Sequence, residues 1–269
     1  MIRKTILPLL ALAYSFAAPA QAESGWHLLN MRQGVTEISR RIYDLHMLIF
    51  WVCVVIAVIV FAFMIWSLVV FRKSKGAVAD TTLVHNTKVE IAWTVVPVLI
   101  LVAMAVPAAR TLVAIEDTRD TGLTIKVTGF QWGWHYDYLD DNVSFYSRLS
   151  RDADAARRLM SGVDPNTIPN YLLDVDHPLV VPAGVKVRLL LTGADVIHAW
   201  WMPDFGVKKD AIPGFVNEAW FQVDADKTGV YRGQCAELCG RDHAFMPIVV
   251  DVKSQEDFNA WLKREQNHG

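Results

Sequence analysis

Two membrane-spanning helices, then an all-β sandwich or barrel and a short terminal helix, are what this sequence predicts, on three observations. Residues 45–71 contain no Asp, Glu, Lys or Arg, and residues 91–109 form a second uncharged stretch; at about 1.5 Å per residue each can cross a hydrocarbon core of about 30 Å. Beyond Ile115 apolar and polar residues alternate with a period of two, the pattern of half-buried strands. Pairs such as Pro213-Gly214 and Thr228-Gly229 then punctuate those runs as turns.

Residues 1–22 read as an export signal: Arg3 and Lys4 are the basic region, Ile6 to Ala18 is apolar, and Ala20-Gln21-Ala22 is a small-x-small cleavage site. An uncleaved anchor is the alternative; Pro8 and the short apolar run favour cleavage before Glu23. An exported segment, 23–44, leads to the first span. The connection at 72–88 carries Arg72, Lys73, Lys75 and Lys88 against Asp80 alone, which marks it as cytoplasmic. Arg32, Arg40 and Arg41 weaken the charge argument, so the export signal decides that both termini lie outside. The second span, 89–113, holds Pro97 and Pro107, which membrane helices tolerate when neighbouring groups satisfy the freed carbonyls.

The β region is expected over 114–253. Leu123, Ile125 and Val127 alternate with Thr124, Lys126 and Thr128; Val185 to Leu191 repeats the pattern, and further strands are expected at 219–223, 230–233 and 248–252. Pro182-Ala183-Gly184 and Thr192-Gly193 supply more turns, and the whole suggests antiparallel pairing. An Ala/Arg/Asp-rich insert, 151–160, reads as an exposed helix. Ser254 to Asp257 has capping-box spacing and opens a terminal helix through Lys263, with a tail to 269.

Of 269 residues, 53% are hydrophobic and the net charge is −2, so a basic nucleic-acid surface is not expected. Three cysteines are too few for a disulfide scaffold. Cys53 lies in an apolar run and reads as inert packing. No Cys-x-x-Cys-His motif occurs, so no haem-c module is expected.

The chemistry concentrates in Cys235-x-x-x-Cys239-x-x-x-His243-x-x-Met246, with His198 far upstream in Val-Ile-His-Ala-Trp. Thiolate, imidazole and thioether form a soft donor set that favours copper. A mononuclear site needs one cysteine, so the second suggests two copper ions sharing two sulfurs. A Cys235–Cys239 disulfide in an exported domain and a Cys2His2 zinc site are the competing readings; neither uses Met246.

A sandwich with one early histidine and a Cys/His/Met loop between its last strands is the cupredoxin arrangement. With the helical hairpin and the segment Gly129-Phe-Gln-Trp132-Gly-Trp134-His-Tyr136-Asp-Tyr138, the chain resembles subunit II of bacterial haem–copper cytochrome c oxidases over essentially its whole mature length. The resemblance implies a dinuclear CuA centre held by His198, Cys235, Cys239, His243 and Met246, and by the Glu237 carbonyl. The Glu237 side chain would reach a magnesium ion shared with subunit I. It implies that Trp132 receives the electron from cytochrome c, that Glu90 sits at the cytoplasmic mouth of a proton channel, and that Asp137, Asp176 and Asp195 help the donor dock. The protein would then be a subunit of a proton-translocating oxidase in the bacterial inner membrane, partnered by subunits I and III, with its large domain in the periplasm.

Three positions depart from the family pattern: Gly133 stands where many relatives have Tyr, Phe130 where His is common, and Phe215 where Arg is common. Only His46 lies near a span edge, too few histidines for the haem chemistry itself, which the resemblance assigns to subunit I. A membrane-anchored copper carrier is the main rival, disfavoured by five side-chain ligands. A quinol-oxidase subunit would lack those ligands, and a nitrous-oxide reductase would need a further His-rich domain.

Overall fold

The computed structural model of the chain describes residues 29–78, 82 and 85–268, so the expected export signal lies outside the described residues. Helix α1 (Glu37–Val70) starts well before the uncharged run. Its cap is the reason: Ser39 N–H donates to Thr36 Oγ1 at 3.0 Å and Thr36 N–H to Ser39 Oγ at 3.1 Å, a closed capping box. Helix α2 (Thr87–Ile115) is capped by Asn86, encloses Pro97 and Pro107, and also outruns the expected span. Both helices are long and apolar enough to cross a membrane. Their large side chains, among them Phe61, Phe63, Trp93 and Leu101, stay exposed in the isolated chain, as a lipid-facing surface requires. Cys53 is exposed on α1 and is not a packing residue of a protein core.

Ten strands follow: β1 (Leu123–Phe130), β2 (Gly133–Tyr138), β3 (Val143–Ser147), β4 (Leu179–Pro182), β5 (Val187–Gly193), β6 (His198–Met202), β7 (Val207–Ala211), β8 (Asn217–Phe221), β9 (Gly229–Cys235) and β10 (Pro247–Lys253). They form two five-stranded sheets, ordered β3-β2-β1-β5-β8 and β4-β10-β9-β6-β7. The expectation of purely antiparallel pairing needs correction, because β1 runs parallel to β5 and β4 to β10. Long connections make that possible, since parallel neighbours cannot be joined by a tight hairpin. Strand β5 alternates strictly between buried and half-buried residues, as its period-two sequence requires. Trp134, Tyr136 and Tyr138 of β2, with Trp200, Phe205 and Phe221, fill the space between the sheets and are wholly buried.

The insert helix α3 (Arg151–Ala156) is shorter than the expected 151–160, and its inner face is buried through Ala153 and Ala156. Helix α4 (Gln255–His268) begins at the anticipated cap, where Asp257 N–H donates to Ser254 Oγ at 3.1 Å. Phe258 and Trp261 seat it against the sandwich.

The membrane helices are fixed to the sandwich at both of their outer ends. The Thr36 hydroxyl donates to the Phe205 carbonyl at 2.9 Å, and Arg40 pairs with Asp224 at 2.6 Å. At the other helix, Trp220 Nε1–H donates to the Ala114 carbonyl and Lys209 pairs with Glu116 at 3.0 Å.

Candidate metal centre

Three neighbouring strand ends build the site. His198 opens β6 and Cys235 closes β9, and the antiparallel register Trp200↔Cys235 brings the two residues together. The β9–β10 connection then carries Cys239, His243 and Met246 back over them. That loop is pinned where it closes, since Cys235 N–H donates to the Met246 carbonyl at 3.3 Å.

The donor atoms of His198, Cys235 and Cys239 lie within 4.8 Å of one another, and all three residues are buried. The two Sγ atoms are 3.9 Å apart, far from the roughly 2.05 Å of a disulfide. Cys239 Sγ lies 3.5 Å from His243 Nδ1 and 3.4 Å from Met246 Sδ, and Cys235 Sγ lies 3.3 Å from the Glu237 carbonyl. Two thiols, two imidazoles, a thioether and a carbonyl therefore converge on one spot, buried at His198, Cys235, Cys239 and Met246 and half-exposed at His243.

His198 is held from behind. Its Nε2 meets Asp195 Oδ1 at 2.9 Å, while its buried Nδ1 has no hydrogen-bond partner. A carboxylate on one ring nitrogen and a free donor on the other is how a metal-binding histidine is oriented. Asp195 also accepts from the N–H groups of Gln131 at 2.7 Å and Val196 at 2.7 Å. Gly129 makes room for the ring: a Cβ there would sit 2.8 Å from His198 Cγ and Cδ2.

The sulfurs differ electrostatically. Burial opposes ionisation of Cys235, but the imidazole of His198 beside it and the neighbouring backbone outweigh it and lower its pKa. Cys239 is pushed up to about 12, by burial first and then by Cys235 beside it. Burial also opposes the charged form of His198, yet Cys235 and Asp195 together raise its pKa. A bound cation reverses this balance, because it stabilises both thiolates directly. The soft donors, their burial and the orphaned imidazole nitrogen fit copper.

Trp132 reaches the same site from the opposite sheet. It occupies the two-residue β1–β2 turn with Gln131, between Phe130 and Gly133. Trp132 Nε1–H donates to the Cys239 carbonyl at 3.1 Å, and Gln131 Nε2–H donates to that carbonyl at 2.9 Å. The hairpin tip is thus bonded to the backbone of a candidate ligand.

Comparison with known proteins agrees with this architecture. The family description "Cytochrome C oxidase subunit II, transmembrane domain" matches residues 24–110, and "Cytochrome C oxidase subunit II, periplasmic domain" matches residues 123–253. A probable cytochrome c oxidase subunit 2 of Rickettsia prowazekii is 41% identical over 226 residues, 84% of this chain and 68% of that protein.

The chain belongs to the cytochrome c oxidase subunit II family.

Cytochrome c oxidase subunit 2 of Arabidopsis thaliana is 37% identical over 92% of this chain and 93% of that protein. The periplasmic domain of subunit II of cytochrome oxidase from Bradyrhizobium japonicum, a crystal structure, is 43% identical, covers 56% of this chain and 98% of its own, and superposes with a TM-score of 0.47. As a subunit II, the chain is one component of an oxidoreductase, with two membrane helices and a periplasmic sandwich.

The remaining sequence-predicted residues lie elsewhere in this subunit II. Glu90 sits in the first turn of α2, where its Oε1 lies 2.7 Å from His85 Nδ1 and accepts from the Asn86 N–H at 3.3 Å. Asp137 is half-buried on β2, opposite Lys126 and Ser144. Asp176 Oδ1 accepts from the Arg148 and His177 N–H groups, each at 2.8 Å. The three predicted docking acids therefore have separate local partners, and Asp195 backs the candidate ligand His198. Sequence reading assigned no role to Gln131 or Gly129. Their common signal is position, next to a candidate ligand in space and remote from it in the chain.

Proposed function

We propose that this chain is the electron-accepting subunit of a bacterial inner-membrane cytochrome c oxidase. It takes electrons singly from reduced cytochrome c on the periplasmic side and delivers them to the haem–copper centres of subunit I, where oxygen is reduced and protons are pumped. One observation carries the reading: the buried convergence of His198, Cys235 and Cys239 within 4.8 Å, extended by His243 and Met246.

His198, Cys235, Cys239, His243, Met246 and the Glu237 carbonyl would hold two copper ions. When bound, that pair supplies a one-electron redox couple that thiolates and imidazoles alone do not possess. The sandwich holds the donor atoms at fixed strand ends, which keeps the geometry nearly constant as the charge changes. Asp195 orients His198. Trp132 offers a half-exposed ring hydrogen-bonded to Cys239, a short covalent and hydrogen-bonded route from the surface to a ligand. The exposed Glu237 side chain would reach a magnesium ion at the boundary with subunit I, and Glu90 would collect protons at the cytoplasmic end. Subunit III completes the expected assembly. The spans would run over 45–71 and 89–113, with the sandwich over 114–253.

The test is optical and EPR spectroscopy of the full chain loaded with copper. A signal shared equally by two coppers is expected, and Cys235→Ser and Cys239→Ser should each abolish it. Met246→Leu should keep copper but shift its potential, because it removes only a weak thioether. A blue single-copper signal, a colourless zinc protein, or a normal spectrum in Cys235→Ser would sink the reading.

A further inference from the structure

The turn between β1 and β2 touches the metal site at two places that are far apart in the chain. On one side, Gln131 N–H donates to Asp195 Oδ2 at 2.7 Å, and the other oxygen of that carboxylate meets His198 Nε2 at 2.9 Å. On the other side, Gln131 Nε2–H donates to the Cys239 carbonyl at 2.9 Å. The Cys239 and Cys235 sulfurs are 3.9 Å apart, and the donor atoms of Cys235 and His198 lie in the same cluster. A closed circuit results, running from Asp195 through His198, Cys235 and Cys239 and back through Gln131. Asp195 belongs to the β5–β6 connection and Cys239 to the β9–β10 loop, so the circuit spans both sheets.

Each end of the Gln131 link is well held. Trp132 Nε1–H shares the Cys239 end at 3.1 Å, so both lone pairs of that carbonyl are occupied. Gly240 makes the approach possible: its φ is +112°, and a Cβ there would lie 3.0 Å from Gln131 Nε2 and 3.2 Å from Trp132 Cζ2. A side chain at that position would push the turn off the carbonyl. The Asp195 end is fixed twice, because Ala194 N–H also donates to the Gly129 carbonyl at 2.9 Å. Gln131 itself is exposed and fills no core, so what its side chain contributes is this bond.

We infer that Gln131 is a positioning residue of the metal centre: its backbone N–H and its side-chain amide together set the separation between the His198 half and the Cys239 half, and the amide helps set the redox potential. The inference rests on reading the site as a two-copper centre. Pinning the Cys239 carbonyl restricts the direction of the adjoining side chain, and with it how evenly the two sulfurs face both ions. The amide N–H also presents its positive end to the site, which favours the state that carries the additional electron. Removing that donor therefore lowers the potential.

The test uses Gln131→Met, which keeps the length of the side chain and removes its donor. In the copper-free full chain, amide exchange over 239–243 should speed up by about three- to tenfold, the span of one hydrogen bond, with exchange over β5 unchanged. In the copper-loaded chain, an EPR-monitored redox titration should show the one-electron equilibrium shifted about threefold or more toward the oxidised form, where tenfold is about 59 mV. The sharing of the signal between two coppers should become uneven. A brace cut at either end is cut, so Gln131→Met should add less than half of its own shift when introduced into Asp195→Ala. Exchange over 239–243 equal to wild type, acceleration that includes β5, an unchanged or raised potential, or a shift that adds by half or more to that of Asp195→Ala overturns the proposal. The exchange measurement is independent of copper. A wild-type chain without a two-copper signal would remove the copper reading and leave exchange as the test of the brace.

Discussion

At Trp132 one side chain joins the surface to the metal site through a single hydrogen bond to Cys239. Trp132→Gln removes the ring but touches no donor atom. Single-turnover oxidation of bound donor should slow by at least an order of magnitude while the copper spectrum is retained; a loss confined to donor affinity would make Trp132 a contact residue only. Asp195 works from behind the site. Burial raises its pKa, but hydrogen bonds from His198, Val196 and Gln131 outweigh this and hold the carboxylate below its ordinary value. Asp195→Ala should therefore lower copper affinity by about 10–100-fold, the usual cost of removing a carboxylate behind a metal-bound histidine. Chelator competition on the full chain measures it, and an affinity equal to wild type would return Asp195 to the status of a surface acid.

Helix α3 and the ligand loop are linked by one residue. Arg157 Nε–H donates to Asp154 Oδ1 at 2.7 Å, its two terminal nitrogens face the Asp242 oxygens at 3.4 Å, and its guanidinium carbon lies 4.2 Å from the centre of the Phe245 ring. Asp242 and Phe245 flank His243 and lead into Met246, so the contact restrains two candidate ligands from outside. Arg157→Gln should speed amide exchange over 242–246 by about tenfold, equivalent to about 1.4 kcal/mol and within the range for charged hydrogen bonds that are partly screened. Exchange identical to wild type would show that the loop is held by its sulfur and backbone contacts alone. Acid should act similarly. Hydrogen bonds from Arg158 and then Arg157 lower the pKa of Asp154 from its ordinary 3.8. A lowered carboxylate contributes stability above its unfolded value and loses it as the pH falls through the folded one. The α3 contact should therefore loosen only as the pH drops below about 3.8.

Across the whole molecule, the metal site and Glu90 lie at opposite ends of a body joined by two apolar helices, and their roles can be separated kinetically. Glu90 closes the first turn of α2 through Asn86 and His85, so its proposed proton-collecting role must be separated from its helix-end role. Glu90→Gln keeps an acceptor for the Asn86 N–H and removes the titratable acid; Glu90→Ala removes both. In the assembled complex both should slow steady-state turnover while the first reduction by donor stays fast. Turnover unaffected in Glu90→Gln but reduced in Glu90→Ala would leave Glu90 as a cap residue.

The membrane hairpin was legible because a charge-free run of spanning length has few other solutions. Its true ends were not, since Thr36 and Asn86 start the helices through caps that hydropathy does not register. Strands with strict alternation, such as Val187–Gly193, were also legible. Those dominated by aromatic residues or lysine, such as β2 and β7, were missed because their pattern is set by what packs across the sandwich. The Cys235–Met246 loop offered its candidate donors directly, because soft side chains at short spacing stay near one another in the chain. By itself, then, the sequence determined the two spans and an all-β domain and offered the candidate donors, all of which rest on local composition and spacing. Only the tertiary structure decided that β1 and β4 find parallel neighbours, that Asp195 backs His198, that Trp132 bonds to Cys239, and that Gln131 ties Asp195 to the same carbonyl. Each of those depends on residues distant in the chain meeting across two packed sheets, and no local pattern encodes such a meeting.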